Sequence, residues 1–77
     1  MSIRIRFFAS LADRVGIKEM TVDSDDVKTA EDAWKACVGE LEIPGNARVA
    51  INQQYADFAD PVKQGDEVAF FPPVTGG

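Results

Sequence analysis

Apolar and polar residues alternate at both ends of this chain. Ile3, Ile5 and Phe7 near the start, and Val68 and Phe70 near the end, follow the period of two that is typical of a half-buried strand. A chain of 77 residues has room for a single domain and buries only about 60% of the surface that its unfolded form exposes. The fold must therefore bury these two strands together, against whatever helix the chain can supply.

One long apolar stripe at helical spacing lies between those strands, and it predicts the main helix. Thr29 is the expected N-cap, and Asp32 is its partner in a capping box. We expect Pro44-Gly45 to end the helix. The stripe consists of Ala30, Ala33, Trp34, Cys37, Val38 and Leu41.

The remaining elements follow from shorter patterns. Residues 9–15 read as a helical turn that Gly16 closes in a left-handed C-cap. Strands are predicted over 18–23, 48–52 and 67–71, with a turn at 52–54 and a short or irregular strand over 55–58. The order indicates an α+β fold with one main helix across a mixed sheet of about five strands, the first and last parallel and central. This arrangement resembles the ubiquitin-like β-grasp, with a domain over 1–71 and an extended tail over 72–77.

Composition narrows the function. The net charge is −5, and the eight basic residues are scattered, so nucleic acid is not expected as a partner. There is no histidine and only one cysteine, so histidine-based nucleophilic sites, an internal disulfide and multi-cysteine metal sites are excluded. The opening residues contain no long apolar run. We therefore expect a cytoplasmic protein with no membrane partner.

Two groups that could carry chemistry have plainer interpretations. Asp23, Asp25 and Asp26 are close in sequence, but no glycine and distant glutamate complete a calcium loop, so no metal site is predicted. Cys37 lies within the apolar stripe without an activating histidine, and we interpret it as a core residue.

The last six residues carry the stronger functional signal. Pro72 and Pro73 stiffen the exit from the final strand and lower the ordering cost of binding in a groove. Val74 and Thr75 offer modest side chains for recognition. Gly76 and Gly77 lack Cβ atoms, so this end can enter a channel too narrow for a side chain. An activating enzyme that supplied ATP could convert the terminal carboxylate to an acyl-adenylate, which accepts either sulfur or an amine.

Strand parity predicts an exposed aromatic cluster beside the tail. If Ile3, Ile5 and Phe7 face the helix, Phe8 faces the open side of the sheet, and Phe71 does the same at the other end of the chain. Tyr55 on the short strand could join them. Such a cluster with a polar rim is typical of a protein interface.

These residues resemble the sulfur-carrier subunits of molybdopterin synthase, a ubiquitin-like family. The resemblance spans nearly the whole chain and is strongest at Phe7-Phe8-Ala9 with Gly16 and at residues 65–77, while Asn52 also fits. Ala12-Asp13 depart from the Arg-Glu common before that glycine, which bears on a surface contact rather than on the tail. Residues 18–44 match in pattern only.

The resemblance implies a cycle of reactions centred on Gly77. A ubiquitin-activating-like adenylyltransferase adenylates Gly77 with ATP, a sulfurtransferase supplies sulfur, and the resulting thiocarboxylate enters the large synthase subunit. There it donates sulfur to a cyclic pterin precursor in molybdenum cofactor biosynthesis. The resemblance also implies that the large subunit supplies the catalytic residues and that the two subunits assemble as a heterotetramer. This chain is expected to bind no cofactor itself.

Three other functions remain open on the sequence. A thiamine-pathway sulfur carrier shares the fold and the Gly-Gly end, although the Phe-Pro-Pro-Val segment favours the molybdopterin branch. A ubiquitin-like modifier would join Gly77 to lysines of other proteins, starting from the same adenylate. A plain binding module would carry an inert tail, and deleting Gly76 and Gly77 would then change nothing measurable.

Overall fold

The structure is a computed structural model that describes residues 2–73. A 3-10 turn over Ser24–Asp26 separates the second strand from the main helix. The elements in chain order are β1 (Ser2–Phe7), α1 (Ala9–Val15), β2 (Glu19–Asp23), α2 (Ala30–Val38), β3 (Arg48–Ile51), β4 (Gln54–Ala56) and β5 (Glu67–Phe71).

The five strands form one mixed sheet in the order β2-β1-β5-β3-β4. β1 and β5 are parallel, with Phe7 opposite Phe70, and the other neighbouring strands are antiparallel. The first and last strands of the chain therefore lie side by side near the middle of the sheet. The predicted α+β, β-grasp-like arrangement and the parallel pairing of first and last strands are confirmed.

One face of the sheet and α2 enclose the core. The apolar members of the β1 and β5 alternation are at most 3% exposed, as strand parity predicts. Trp34 of α2 packs edge-on against Phe7 and Phe70, at ring-centroid distances of 5.7 and 5.3 Å. These large side chains dominate the core because so short a chain has few other residues to bury.

Both predicted caps form. The backbone N–H of Asp32 donates to Thr29 Oγ1 (3.2 Å), and Asp32 Oδ2 accepts from the N–H of Thr29 (3.3 Å), so the capping box is complete. Gly16 ends α1 with a φ of 76°, and its N–H donates to the carbonyl of Ala12 (2.9 Å). Left-handed backbone of this kind favours glycine.

The predicted end of α2 is wrong. The helix stops at Val38, with Gly39 in a positive-φ conformation (65°), and not at Pro44-Gly45. Leu41 therefore lies outside the helix and is 43% exposed. Its carbonyl accepts a hydrogen bond from Trp34 Nε1 (2.7 Å), so the non-helical segment satisfies the buried indole.

The β3–β4 hairpin also differs from the prediction. Asn52 and Gln53 form a two-residue turn with φ of 53° and 69°, and β4 already begins at Gln54. Two left-handed residues match the right-handed twist of the flanking strands, which explains the tight turn. Phe58 lies beyond β4, and its ring stacks on Phe70 at 5.8 Å.

Within residues 2–73, neither helix has the length and apolar content needed to cross a membrane.

Candidate functional site

The tail begins at the centre of the sheet. β5 lies between β1 and β3, with Phe71 opposite Arg48, and the N–H of Phe8 donates to the carbonyl of Phe70 (3.0 Å). Pro72 and Pro73 follow, partly buried, and neither has a backbone N–H with which to continue the pairing. Pairing of β5 thus stops at Phe71, and the chain leaves the sheet from a rigidly held strand.

Four of the predicted tail residues lie outside the described part of the chain. These are Val74, Thr75, Gly76 and Gly77. Their predicted roles in recognition and in acyl transfer stay predictions, as do the roles of Pro72 and Pro73.

Two of the three predicted interface aromatics are in contact. The rings of Tyr55 and Phe71 are 5.8 Å apart and inclined at 52°. Tyr55 is 80% exposed, while Phe71 is half-buried on the sheet face opposite α2, here called the open face. A small protein has few large apolar side chains to bury, so an aromatic pair left exposed to solvent is unusual. Such a pair is suited to contact with a partner protein.

Phe8 has a different neighbour. The parallel pairing ends at Phe7 and Phe70, the residues just before Phe8 and Phe71, and no ring contact between Phe8 and Phe71 occurs in the described chain. The guanidinium carbon of Arg6 lies 4.9 Å from the centroid of the Phe8 ring. Phe8 is 39% exposed, and Arg6, Lys18 and Asp13 surround the recess beside it. The open face thus carries two aromatic positions rather than one continuous cluster.

Small residues form the floor between these positions. Ala50 of β3 pairs with Ala69 of β5 on one side and with Tyr55 of β4 on the other. Ala50 is only 9% exposed although it lies outside the core cluster. The small side chains of these two adjacent alanines leave a shallow depression on the open face between the larger side chains.

A cleft beside the aromatic pair was not predicted from the sequence. It has a volume of about 530 Å³ and reaches Pro73, so it adjoins the start of the tail. Parity could have placed Arg48 on the open face, since Val49 faces the core, but its approach to Asp57 and Asp60 depends on the hairpin. The principal lining residues are Arg48, Tyr55, Asp57, Asp60, Phe71 and Pro73.

Paired charges cover the other half of the open face. Arg4 lies 3.4 Å from Glu19 and 4.0 Å from Glu67, and Arg6 also lies 4.0 Å from Glu67. These pairs are largely exposed, so each contributes at most about 1 kcal/mol to stability. They give the aromatic positions a polar rim.

A polar cluster around the buried Asp66 side chain fixes the opposite end of β5. Asn52 Nδ2 donates to Asp66 Oδ1 (2.9 Å), and the N–H of Lys63 donates to Asp66 Oδ2 (2.9 Å). Asn52 Oδ1 accepts from the N–H of Glu67 (3.0 Å). Burial by itself raises the pKa of Asp66. The hydrogen bonds from the Asn52 side chain and the Lys63 backbone, together with the Lys63 charge, outweigh burial, so the pKa lies below the ordinary value. The cluster ties the β3–β4 turn to the start of β5.

The remaining candidate groups have structural surroundings. Burial raises the pKa of the Cys37 thiol to about 11, so the group is neutral at physiological pH. Cys37 is half-buried against the core, as its interpretation as a core residue requires. Asp23 Oδ1 accepts from the N–H of Asp25 (2.9 Å) and so caps the 3-10 turn. No metal-binding group of three or more acids or cysteines was found in residues 2–73.

Comparison with known proteins gives relatives over nearly the full length. The molybdopterin synthase sulfur carrier subunits of Haemophilus influenzae and Escherichia coli are 36% and 34% identical, each aligned over 97% of this chain and 99% of the relative. Small archaeal modifier protein 1 of Haloferax volcanii is 33% identical, over 94% of this chain and 97% of its own.

Solved structures agree with these relatives. A crystal structure of the Haloferax volcanii modifier has a TM-score of 0.77 at 30% identity, covering 95% of this chain and 98% of that one. A complex of subunits 1 and 2 of the molybdopterin-converting factor from Helicobacter pylori contains a chain with a TM-score of 0.65 at 26% identity, with full coverage of both. The family model described as "ThiS family" matches residues 5–77, and the chain therefore belongs to the ThiS family.

Proposed function

We propose that this chain is the sulfur-carrier subunit of a molybdopterin synthase and that Gly77 is its working end. The observation that carries the proposal is the full-length similarity to molybdopterin synthase sulfur carrier subunits. The fold is compatible with it, because β5 brings the chain to the start of the tail at the centre of the sheet.

The chemistry follows from the weakness of a carboxylate as an electrophile. The activating enzyme uses ATP to form the Gly77 acyl-adenylate and releases pyrophosphate. A persulfide sulfur from a sulfurtransferase then displaces AMP and forms an acyl disulfide. A second thiol attacks the sulfurtransferase sulfur of that disulfide, which releases the thiocarboxylate and leaves the two thiols oxidised to a disulfide. Transfer of that sulfur to a cyclic pterin precursor, with water restoring the carboxylate, returns the carrier to its starting form.

The carrier role divides the work between two subunits. In this proposal the large synthase subunit supplies the catalytic residues, and this chain delivers sulfur and positions it. Tyr55 and Phe71 form the anchor on the carrier side, with Phe8 as a second contact on the same face. The Helicobacter pylori complex of two converting-factor subunits supports such a pairing. We propose a heterotetramer with a carrier at each end.

The intact mass of the protein tests the terminal chemistry. The protein is incubated with ATP, its activating enzyme and a sulfur source, and we expect a gain equal to the exchange of one oxygen for sulfur, mapped to Gly77. An unchanged mass, with the activating enzyme shown to load another carrier, would reject the sulfur-carrier assignment. Omitting ATP is the matched control and should prevent the gain.

A second candidate function is protein modification. The observation in its favour is the similarity to small archaeal modifier protein 1, at 33% identity and with a TM-score of 0.77. In this case an amine of a target lysine, rather than sulfur, attacks the acyl-adenylate. Affinity purification of tagged protein from cells, followed by digestion, would reveal Gly77 joined to lysines of other proteins. A thiamine-pathway carrier is tested separately, by supplying the loaded protein to each pathway.

A further inference from the structure

The cleft beside Tyr55 and Phe71 combines two aromatic rings with two carboxylates. We propose that it receives an arginine side chain of the large synthase subunit and thereby helps this carrier to select its cognate partner. The proposal rests on the function proposed above and names the chemistry of one contact within that interface. The residues of the cleft that carry the argument are Arg48, Tyr55, Asp57, Asp60, Phe71 and Pro73.

The shape of the cleft suits a planar cation. Its volume is about 530 Å³, and the Tyr55 and Phe71 rings meet in it at 52° with their centroids 5.8 Å apart. An aromatic face attracts a guanidinium through its quadrupole, and the flat group stacks on a ring while its N–H groups remain available for carboxylates. The same face already shows such a stack within the chain, between Arg6 and Phe8.

The carboxylates of the cleft have capacity for a further donor. Within residues 2–73, the Asp57 side chain accepts no hydrogen bond and joins no ion pair. Asp60 Oδ2 accepts from the N–H of Asp57 (2.9 Å), which leaves Asp60 Oδ1 available. A guanidinium has five N–H donors in a fork that can meet both groups.

An anionic ligand is the main alternative occupant, because Arg48 also lines the cleft. In the described chain Arg48 forms no ion pair with either aspartate, so one cation faces two uncompensated anions. Arg4 and Arg6, by contrast, are matched by Glu19 and Glu67. The net charge of −5 also favours a basic partner surface. These observations favour a cation over an anion.

Position argues for the large subunit as the source of that cation. Pro73 lines the cleft, and Phe71 belongs both to the cleft and to the aromatic pair. A partner that takes hold of the tail and covers the aromatic pair therefore covers the cleft as well. A charge buried there without a counterpart would be costly, so the contact penalises partners that lack the cation.

A charge-sign series measures the contact in the intact protein. Calorimetry with the cognate large subunit at low salt compares the wild type with Asp57→Asn, Asp60→Asn and Arg48→Gln. We expect each aspartate variant to bind about fivefold to tenfold more weakly and Arg48→Gln to bind more tightly. The differences should shrink as salt is added. Asp25→Asn in the 3-10 turn and Lys35→Gln on α2 make the same charge changes away from the cleft, and should leave affinity close to that of the wild type.

Each other outcome has a definite meaning. Unchanged affinity in Asp57→Asn, with the wild type binding normally, would refute the cleft proposal and leave the carrier function standing. Weaker binding by Arg48→Gln with tighter binding by Asp57→Asn would show that the cleft takes an anion. Failure of the wild type to bind the large subunit would overturn the proposed function and the cleft proposal together. Asp57→Asn is the main variant because its side chain supports no described hydrogen bond, so its fold should be intact.

Discussion

Among single residues, Asn52 and Asp66 hold the most consequential polar contacts. Asp66 is 6% exposed and accepts hydrogen bonds from Asn52 and from the backbone of Lys63, while Asn52 also contacts the backbone of Glu67. A buried carboxylate is stable only when such donors compensate for lost water. The contacts join the hairpin turn to β5, so the register of the central strand depends on them.

The low pKa of Asp66 predicts a loss of stability in acid. The folded-state pKa lies below the unfolded value of about 3.9, so the contribution is complete above that value and is lost as pH falls through the folded pKa. At pH 7, Asp66→Asn should lower the free energy of unfolding by about 1–3 kcal/mol, because its amide must face one of the two donors. Urea unfolding at several pH values should show this difference shrinking in acid. A difference that stays constant down to about pH 2 would contradict the prediction, and Asp25→Asn is the exposed control.

The raised pKa of Cys37 predicts an unreactive thiol. With a pKa of about 11, roughly one thiol in a thousand is ionised at pH 8, and only the thiolate reacts. Alkylation by iodoacetamide should be about a hundredfold slower in the folded protein than in urea. Mass spectrometry over time measures both rates, with Cys37→Ala as the unlabelled control. Equal rates in the two states would show that burial does not protect this group.

The sequence predicts a residue's hydrogen-bond contacts well where the contacting residue is near in the chain. Thr29 finds Asp32 three residues later, and the C-cap at Gly16 needs only the preceding turn. The contacts of Asn52 lie fourteen and fifteen residues away. Nothing in its immediate neighbours indicates them, although Asn52 fits the family pattern. Their discovery required the hairpin and β5 to be placed side by side.

Among the elements, α2 shows how a helix ends before its apolar pattern does. Leu41 continues the spacing of the stripe, yet the helix stops at Val38. A positive-φ backbone at Gly39 redirects the chain, and the Leu41 carbonyl then reaches the Trp34 indole. Satisfying a buried donor on the largest core side chain outweighs one more half-exposed turn of helix.

Two glycines provide a matched test of that ending. An added Cβ meets nothing within 4 Å at either Gly39 or Gly45, but only Gly39 has a positive φ (65°). Gly39→Ala should therefore cost about 1–2 kcal/mol through backbone strain alone, whereas Gly45→Ala should be neutral or slightly stabilising. Thermal unfolding of both variants measures the difference. Equal melting temperatures would mean that the Gly39 conformation does not hold α2 at Val38.

Strand parity predicts which residues face outward but not which of them meet. The alternation correctly assigns Phe71 to the open face and Phe70 to the core. It cannot set the register that places Arg48 opposite Phe71, nor the turn that brings Asp57 and Asp60 to the same cleft. If the length of the turn is wrong by one residue, every side chain of β4 is assigned to the wrong face of the sheet. This short strand was therefore the least predictable element.

Across the whole molecule, the two faces of the sheet have different roles. One face is closed by α2 and provides stability, and the open face carries Tyr55 and Phe71 outside the core cluster. Changing Phe71 to Asp should therefore weaken binding to the large subunit at least about tenfold with a small change in melting temperature. Calorimetry measures the affinity, and Leu41→Asp alters an exposed apolar residue as control. Undiminished binding by Phe71→Asp would refute the interface assignment.

The same division predicts that stability and terminal chemistry can be separated completely. Among residues 2–73 the buried core cluster runs from Ile3 to Phe70, and a glycine has no side chain to add to it, so we expect deletion of Gly76 and Gly77 to leave the core intact. The free energy of unfolding of the shortened protein should lie within about 0.5 kcal/mol of the wild-type value, since changes away from buried contacts rarely exceed that.

The shortened protein should nevertheless fail to gain sulfur with ATP and the activating enzyme. Its terminal carboxylate belongs to Thr75, whose Cβ cannot enter a channel that admits only glycine. Gly76→Trp keeps the chain length and the Gly77 carboxylate, and should block loading for the same steric reason. If either variant accepted sulfur at the wild-type rate, loading would not depend on a terminus without side chains, and the assignment of Gly77 as the working end would be wrong.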